Sequence, residues 1–325
     1  ATRARLGVDL SGCAWRKVVD DTEAGEASAN FDVFINGTYR SHSVNQAPIG
    51  LYYVHFPEPP ITSRRQTVDK IARVGLGAMK AAPRLPDRLA GVQRGLQRRV
   101  IDQSWSKSYT KFLSNSTYTA GWVKKLWGAE SEIVYPPVRT TVKPGKKVEL
   151  ITSIGRFFDP SLGHSKKQHE LLEVFTRMFS SHEGLGDWSL SFVGGADGAS
   201  RDYALAVRRG AIGLPVKVNL NAPRELVETT LATASIYWHG GGFGEDADLH
   251  PERFEHFGIA VVESMAAGAV PVVFAAAGPA EIVRHGVDGF HWKTLDELQS
   301  FTRQLMDDQE LRLKMSSAAQ SRAAD

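Results

Sequence analysis

The sequence predicts an α/β protein made of doubly wound parallel sheets in two domains. Three observations carry this. From Val148 onward, short apolar runs alternate with amphipathic helical runs, the order that gives parallel strands joined by crossover helices. The 325 residues, 42% hydrophobic and 23% charged, are enough for two cores rather than one. A polar stretch containing Pro and Gly, TTVKPGKK from Thr140 to Lys147, reads as a linker, which sets an N-terminal domain at 1–142 and a C-terminal domain at 143–325.

Taken in order, RLGVDLSG near the start reads as a short strand and turn, and a polar stretch runs on to Asn30. FDVFIN reads as a buried strand bounded by Gly37. A second strand, IGLYYVHFP, carries His55 at its carboxyl end, before Pro57, Pro59 and Pro60. A His in that place is positioned for a site, although an isolated one is more often structural.

From Arg64 to Arg99, eight Arg and two Lys face only Asp69 and Asp87, a local balance of +8 against +3 for the whole chain. Val68, Ile71, Ala72, Val74, Leu76 and Met79 interleave with these charges. Such a pattern suits an anionic membrane surface, and equally a solvated helix whose Arg stems cover apolar surface. No nucleic-acid-binding motif or spaced aromatic accompanies it, so nucleic acid is not expected as a partner. SKSYTKFLSNSTYTAGWVKKLWG then reads as strand, turn and amphipathic helix, and EIVYPPV as a strand.

The single cysteine, Cys13, excludes an internal disulfide framework and a Cys-rich zinc site. No apolar run approaches the roughly 20 residues that span a bilayer, and no signal-peptide pattern opens the chain. The expected compartment is the cytoplasm, with peripheral contact at the membrane's cytoplasmic face through 64–99. Asn36 and Asn115 head glycosylation sequons, which carry no weight in that setting.

The second domain opens with VELITSIGRFF, a strand ending at Gly155 and Arg156. After the loop DPSLGHS come Lys166 and Lys167, then a helix with apolar Leu171, Leu172, Val174, Phe175, Met178 and Phe179. This order, strand, Arg, loop, Lys, helix, puts cations at the carboxyl edge of the sheet, where Arg can hold phosphate oxygens bidentately and Lys offers a point charge. Taken alone, the same order describes surface cations flanking a helix.

WSLSFVGG, VKVNL, SIYWH, AVPVVF and GFHW continue the strands, and a helical stretch from Asp296 ends the chain. Between SIYWH and AVPVVF lies the stretch with most chemistry, in which Glu255 and Glu263 are separated by seven residues. A helix starting near Phe257, Gly258 and Ile259 presents unpaired N–H groups and a positive dipole end to an anion. The two carboxylates can accept hydrogen bonds from different parts of a hydroxyl-rich ligand, or simply serve the dipole or solvent. Asp246-Ala247-Asp248 reads as a solvated acidic pair rather than a metal site. The absence of G-x-G-x-x-G and Walker motifs argues against dehydrogenase and P-loop ATPase readings.

EHFGIAVVESMAAGAVPVV, followed by GPAEIV and GVDGF, closely resembles the C-terminal domain of retaining, nucleotide-sugar-dependent glycosyltransferases of family four, which have the GT-B fold and an E-x7-E motif. The resemblance runs from about Asn36 to Leu305 and is most specific from Ile154 to Phe290. It implies two Rossmann-like domains facing a cleft, the N-terminal one incomplete, because the family's Gly-rich opening unit and its final crossing helix are not recognisable. It implies that Arg156 and Lys166 grip the donor diphosphate, Lys166 ranking above Lys167 because Gln168 falls in the family's register and Gly often stands where Lys167 is.

On the same resemblance, Glu255 binds sugar hydroxyls, Glu263 the ribose, and His55 the sugar from the N-terminal domain. Leu220 lies beside the base, and Phe257, Gly258 and Ile259 form the phosphate-binding turn. The implied activity moves a hexose, with a lean towards mannose, from a nucleoside diphosphate sugar to a hydroxyl of a glycan or lipid-linked acceptor. The anomeric configuration is kept, and no metal or other cofactor is used. A GT-B nucleotide-sugar epimerase, a phosphorylase using pyridoxal phosphate and a non-catalytic nucleotide-sugar-binding fragment are the alternatives.

Overall fold

The computed structural model describes residues 12–58, 103–181 and 184–325. The basic segment 64–99, and RLGVDLSG up to Ser11, lie outside the described residues. The chain divides into two compact units, Ala1–Tyr53 with Val68–Leu113, and Val54–Thr67 with Ser114–Asp325.

In the first unit, helix α1 (Asp21–Ser28) starts where the Asp20 carboxylate accepts the Glu23 N–H at 2.9 Å. The apolar pattern gives no sign of this helix, because only Gly25 and Ser28 of it are buried. Its cap starts it. Strand β1 (Val33–Asn36) pairs in parallel with β2 (Ile49–Val54), Val33 opposite Ile49, and β3 (Lys111–Ser114) is the next strand of that sheet. Tyr52, Trp105 and Tyr109 fill the interior. Asn36 is buried, and its amide donates to Ser41 Oγ at 3.0 Å and to Tyr109 Oη at 2.9 Å, so the sequon it heads is committed to the core.

In the second unit, helix α2 (Thr117–Trp127) and strand β4 (Ser131–Ile133) precede a six-stranded sheet. Its strands are β5 (Val148–Ile154), β6 (Ser189–Gly194), β7 (Val216–Leu220), β8 (Ala234–His239), β9 (Val270–Phe274) and β10 (Phe290–Trp292). They run in the order β10-β9-β8-β5-β6-β7, every neighbouring pair parallel. The crossovers and C-terminal elements are α3 (Gln168–Phe179), α4 (Arg201–Gly210), α5 (Arg224–Thr233), α6 (Ile259–Ala266), α7 (Ala277–Ile282), α8 (Leu295–Asp307) and α9 (Gln309–Ala324).

All six residues of β8 are buried, as expected of a parallel strand covered on both faces. Alternate residues point to opposite faces. Ile236 and Trp238 join a core with Leu171, Phe175 and Met178 of α3 and Leu298 and Leu305 of α8. Tyr237 joins a second core with Val261 and Met265 of α6, Ile282 of α7 and Ala319 of α9. Full burial of each Leu, Phe or Met in these layers contributes about 1.5–3 kcal/mol. The polar stretch at 140–147 packs on this unit, with Val142 beside Leu231 and Ala267 and the Gly145 N–H on the Ala232 carbonyl at 3.0 Å.

The strand order places the site. From β5 the chain winds outward through β6 to β7, then returns to lay β8 on the other side of β5. The loops leaving β5 and β8 thus part at a topological switch point, where open parallel sheets hold ligands.

Candidate active site

The loop leaving β5 carries Gly155, Arg156, Lys166 and Lys167 into α3, and the loop leaving β8 carries Gly240 to Gly258 into α6. Lys166 Nζ donates to Glu255 Oε2 and joins the two. Both side chains keep about a quarter of their surface exposed, 25% for Lys166 and 23% for Glu255. His239, the last residue of β8, places Nε2 3.6 Å from the same oxygen and is 5% exposed. Among the described residues, neither of its ring nitrogens has a hydrogen-bond partner.

Burial lowers the pKa of His239 despite the pull of Glu255, so the ring is neutral. For Glu255, burial opposes ionisation, but the Lys166 charge and the His239 contact outweigh it and hold the carboxyl well below its usual range.

The two lysines are placed differently. Lys167 occupies the left-handed region, with φ 59°, as the N-cap of α3. Its side chain is 7% exposed and the ammonium donates to Glu245 Oε1 at 2.7 Å, while Arg253 Nη1 donates to Glu245 Oε2 at 3.0 Å. Lys167 thus braces the loop leaving β8. Its charge is met inside the protein. Glycine adopts this backbone angle without the strain a side chain brings.

Arg156 is exposed, its guanidinium carbon 4.5 Å from the Phe158 ring centroid. Its carbonyl accepts Gln168 Nε2 at 3.2 Å, and Gln168 Oε1 in turn accepts the Tyr203 hydroxyl at 3.3 Å. Gln168 therefore fixes the backbone that carries Arg156.

Helix α6 starts at Gly258, φ 112°, with no side chain capping it. Its positive end offers backbone N–H groups to an anion. Phe257 and Gly258 are buried and Ile259 is 49% exposed. Gly278 clamps this turn to α7. Its N–H donates to the Glu255 carbonyl at 3.0 Å, and a Cβ on it would lie 2.3 Å from the Phe257 oxygen.

Glu263, on α6, is 9% exposed, and its Oε1 accepts Arg224 Nη2 at 3.0 Å. Arg224 Nε also donates to Glu228 at 2.8 Å. Sequence reasoning missed Arg224, and nothing in the α5 pattern marks it out.

Leu220 ends β7 and packs on the core, followed by Asn221, whose amide pairs with the Ala196 carbonyl and N–H at 2.9 and 3.0 Å. His55 follows β2, and its carbonyl accepts Asn115 Nδ2 at 2.9 Å. The next residue, Phe56, stacks on His256 with centroids 4.0 Å apart and planes at 10°. His164 meets the same ring edge-on at 5.6 Å. Burial, and then the neighbouring His164, push the pKa of His256 down to about 3. His256 was also missed in the sequence, where only its place between Glu255 and Phe257 could have pointed to it.

Asp246 Oδ1 accepts the N–H groups of Asp248 and Leu249 at 2.8 and 3.0 Å, so it shapes a turn. Asp248 pairs with Lys125 at 3.3 Å. Among the described residues, no group of three or more His, Cys, Asp or Glu is arranged to hold a metal ion. Among the same residues, no helix is long and apolar enough to cross a membrane.

The family model for glycosyl transferases group 1 matches residues 141–322. A GDP-Man:Man(3)GlcNAc(2)-PP-Dol alpha-1,2-mannosyltransferase of Dictyostelium discoideum is 30% identical over 231 residues, which are 65% of this chain and 43% of that protein. The Xenopus laevis protein of the same name is 28% identical over 181 residues, 51% of this chain and 34% of that one. The chain spans less than half the length of these relatives.

Among solved structures, HepE of Anabaena in complex with UDP and glucose superposes with a TM-score of 0.61 at 16% identity, over 93% of this chain and 75% of that one. A glycosyltransferase from Rickettsia africae gives 0.65 at 12% identity, over 94% and 76%. WaaG, a glycosyltransferase involved in lipopolysaccharide biosynthesis, gives 0.55 at 14% identity, over 90% and 73%. The chain shares the GT-B fold of these structures. With the family model matching more than half of it, this chain belongs to the group 1 glycosyl transferases.

Proposed function

We propose that the chain carries the donor site of a retaining glycosyltransferase that moves mannose from GDP-mannose to a hydroxyl of a lipid-linked glycan. The observation that carries this reading is the meeting of Lys166 and Glu255 at the switch point, from the loops that leave β5 and β8. An ammonium, an exposed guanidinium and a helix N-terminus suit a diphosphate, and a carboxylate held ionised suits sugar hydroxyls. The names of the curated relatives supply the base, the sugar and the lipid-linked acceptor.

In this reading the barrier lies in parting an anionic leaving group from an oxocarbenium-like sugar. Arg156, Lys166 and the N–H groups at Gly258 and Ile259 stabilise the charge that develops on the diphosphate. A phosphate oxygen of the donor competes with Glu255 for the Lys166 ammonium. Glu255 orients the sugar, Glu263 takes the ribose hydroxyls with its second oxygen, and His55 approaches the sugar. Leu220 borders the base. Side-chain cations take the place a metal would fill, and transfer proceeds on one face of the sugar, a leaving phosphate oxygen accepting the acceptor's proton. The protein works at the cytoplasmic face of a membrane, which segment 64–99 contacts.

Calorimetric titration with GDP, UDP and ADP, and then with their hexose conjugates, tests the donor assignment. GDP is expected to bind best, with affinity falling at least tenfold in Arg156→Ala. A preference for UDP or ADP overturns the base, and binding of none of the three overturns the site. NMR of the product formed from GDP-mannose and a lipid-linked oligomannose tests retention, and an inverted anomer rejects it. Co-sedimentation with anionic liposomes tests the membrane contact, which absence of binding at low salt removes.

A further inference from the structure

His239 is a buried imidazole for which the fold alone gives no use. It is 5% exposed, and among the described residues neither Nδ1 nor Nε2 has a hydrogen-bond partner. Buried polar groups are almost always satisfied, so a ring left in this condition points to a partner met in the working site. Its position is fixed. Trp292 Nε1 donates to the His239 carbonyl at 3.2 Å, and a Cβ on Gly241 would come within 3.1 Å of Nε2, so the space in front of the ring is kept open by a glycine. Nε2 faces Glu255 Oε2 across 3.6 Å, a few tenths of an ångström beyond a hydrogen bond.

That oxygen already accepts from Lys166. A diphosphate with its multiple negative charges competes with Glu255 for the same ammonium. A neutral imidazole carries one N–H, and the carboxylate is the acceptor that Nε2 faces. Resting on the donor reading above, we infer that His239 is a positioning residue that takes over the Glu255 carboxylate as the diphosphate draws Lys166 away, keeping Glu255 aimed at the donor sugar's hydroxyls. His239 would then act on the sugar half of the donor and leave the nucleotide half untouched. A merely structural role would not divide the two.

The test is the affinity of GDP and of GDP-mannose for the wild type, His239→Phe, His239→Gln, Glu255→Gln and the double variant His239→Phe/Glu255→Gln. GDP affinity in His239→Phe is expected within twofold of wild type, while the extra affinity contributed by mannose falls about tenfold, the scale of a hydrogen bond to a charged group. His239→Gln, whose amide nitrogen can reach the place of Nε2, is expected to retain that extra affinity within about threefold. The double variant should lose no more than Glu255→Gln alone, because one residue acts through the other.

The inference is overturned if His239→Phe keeps the full sugar contribution, if it weakens GDP as much as GDP-mannose, or if the two losses add. His239→Asn, too short to reach Glu255, replaces the Phe variant if that one does not fold. Absence of nucleotide binding in the wild type overturns the donor reading and this inference with it, whereas nucleotide binding with an unchanged sugar contribution overturns this inference alone.

Discussion

Lys166 and Glu255 stand 89 positions apart in the chain and meet in one charge-assisted hydrogen bond. Each is the other's compensation for partial burial, so removing either leaves a charge in a poorly solvated place. Lys166→Ala and Glu255→Ala are each expected to cost about 1–3 kcal/mol of stability, and the double variant less than the sum. Urea denaturation of the four proteins measures this, and simple additivity would deny the coupling. In turnover assays, Glu255→Ala is expected to lower kcat at least about a hundredfold.

Lys167 lets backbone and side-chain effects be separated. Glycine relieves the left-handed φ of 59° while deleting the ion pair with Glu245, and alanine deletes the pair without that relief. Lys167→Gly should therefore be more stable than Lys167→Ala by about 1 kcal/mol, read from thermal melts. Equal stability would show that the backbone angle carries no strain.

Acid sensitivity should trace partly to His256. Its pKa is about 3 in the folded protein against an ordinary 6.5, so between those values the unfolded chain binds a proton that the folded chain refuses. Stability is complete above about 6.5 and declines as pH falls towards 3. His239 and His291, also lowered by burial, act with the same sign. The depressed carboxyl of Glu255 has its loss at lower pH, below its unfolded value of 4.5. The urea midpoint should thus fall from about pH 7 to 5, and fall less steeply in His256→Phe. An unchanged slope would remove His256 as a source.

Gly278 should tolerate no side chain. A Cβ there would lie 2.3 Å from the Phe257 oxygen and 2.6 Å from that of His256, so backbone must move. Gly278→Ala is expected to cost about 1–3 kcal/mol and to weaken nucleotide affinity together with it, because the displaced turn carries Gly258. Calorimetry and melting of one sample report both, and wild-type affinity would show that the clamp and the anion site are independent.

What was legible in the sequence was what period and residue type encode. The run of apolar residues in β8, the spacing of Leu171, Phe175 and Met178 on α3, and the Gly258 turn opening α6 are local signals. Less could be read where partners come from afar. Arg224 reaches Glu263 across 39 positions, and Phe56 stacks on His256 across the fold, contacts that no periodicity records. Helix α1 escaped notice because it buries almost nothing apolar, and the brace of Glu245 because its two cations, Lys167 and Arg253, come from separate stretches of chain.

The Glu245 brace also bears on how such a protein could be rebuilt. Because one carboxylate fastens the loop leaving β8 both to itself, through Arg253, and to the first turn of α3, through Lys167, that loop is not an interchangeable cassette. A chimaera importing the segment from a homologue without a carboxylate at position 245 would strand the buried ammonium of Lys167. Grafts that move residues 240–258 together with position 167 respect the unit that has to be inherited whole.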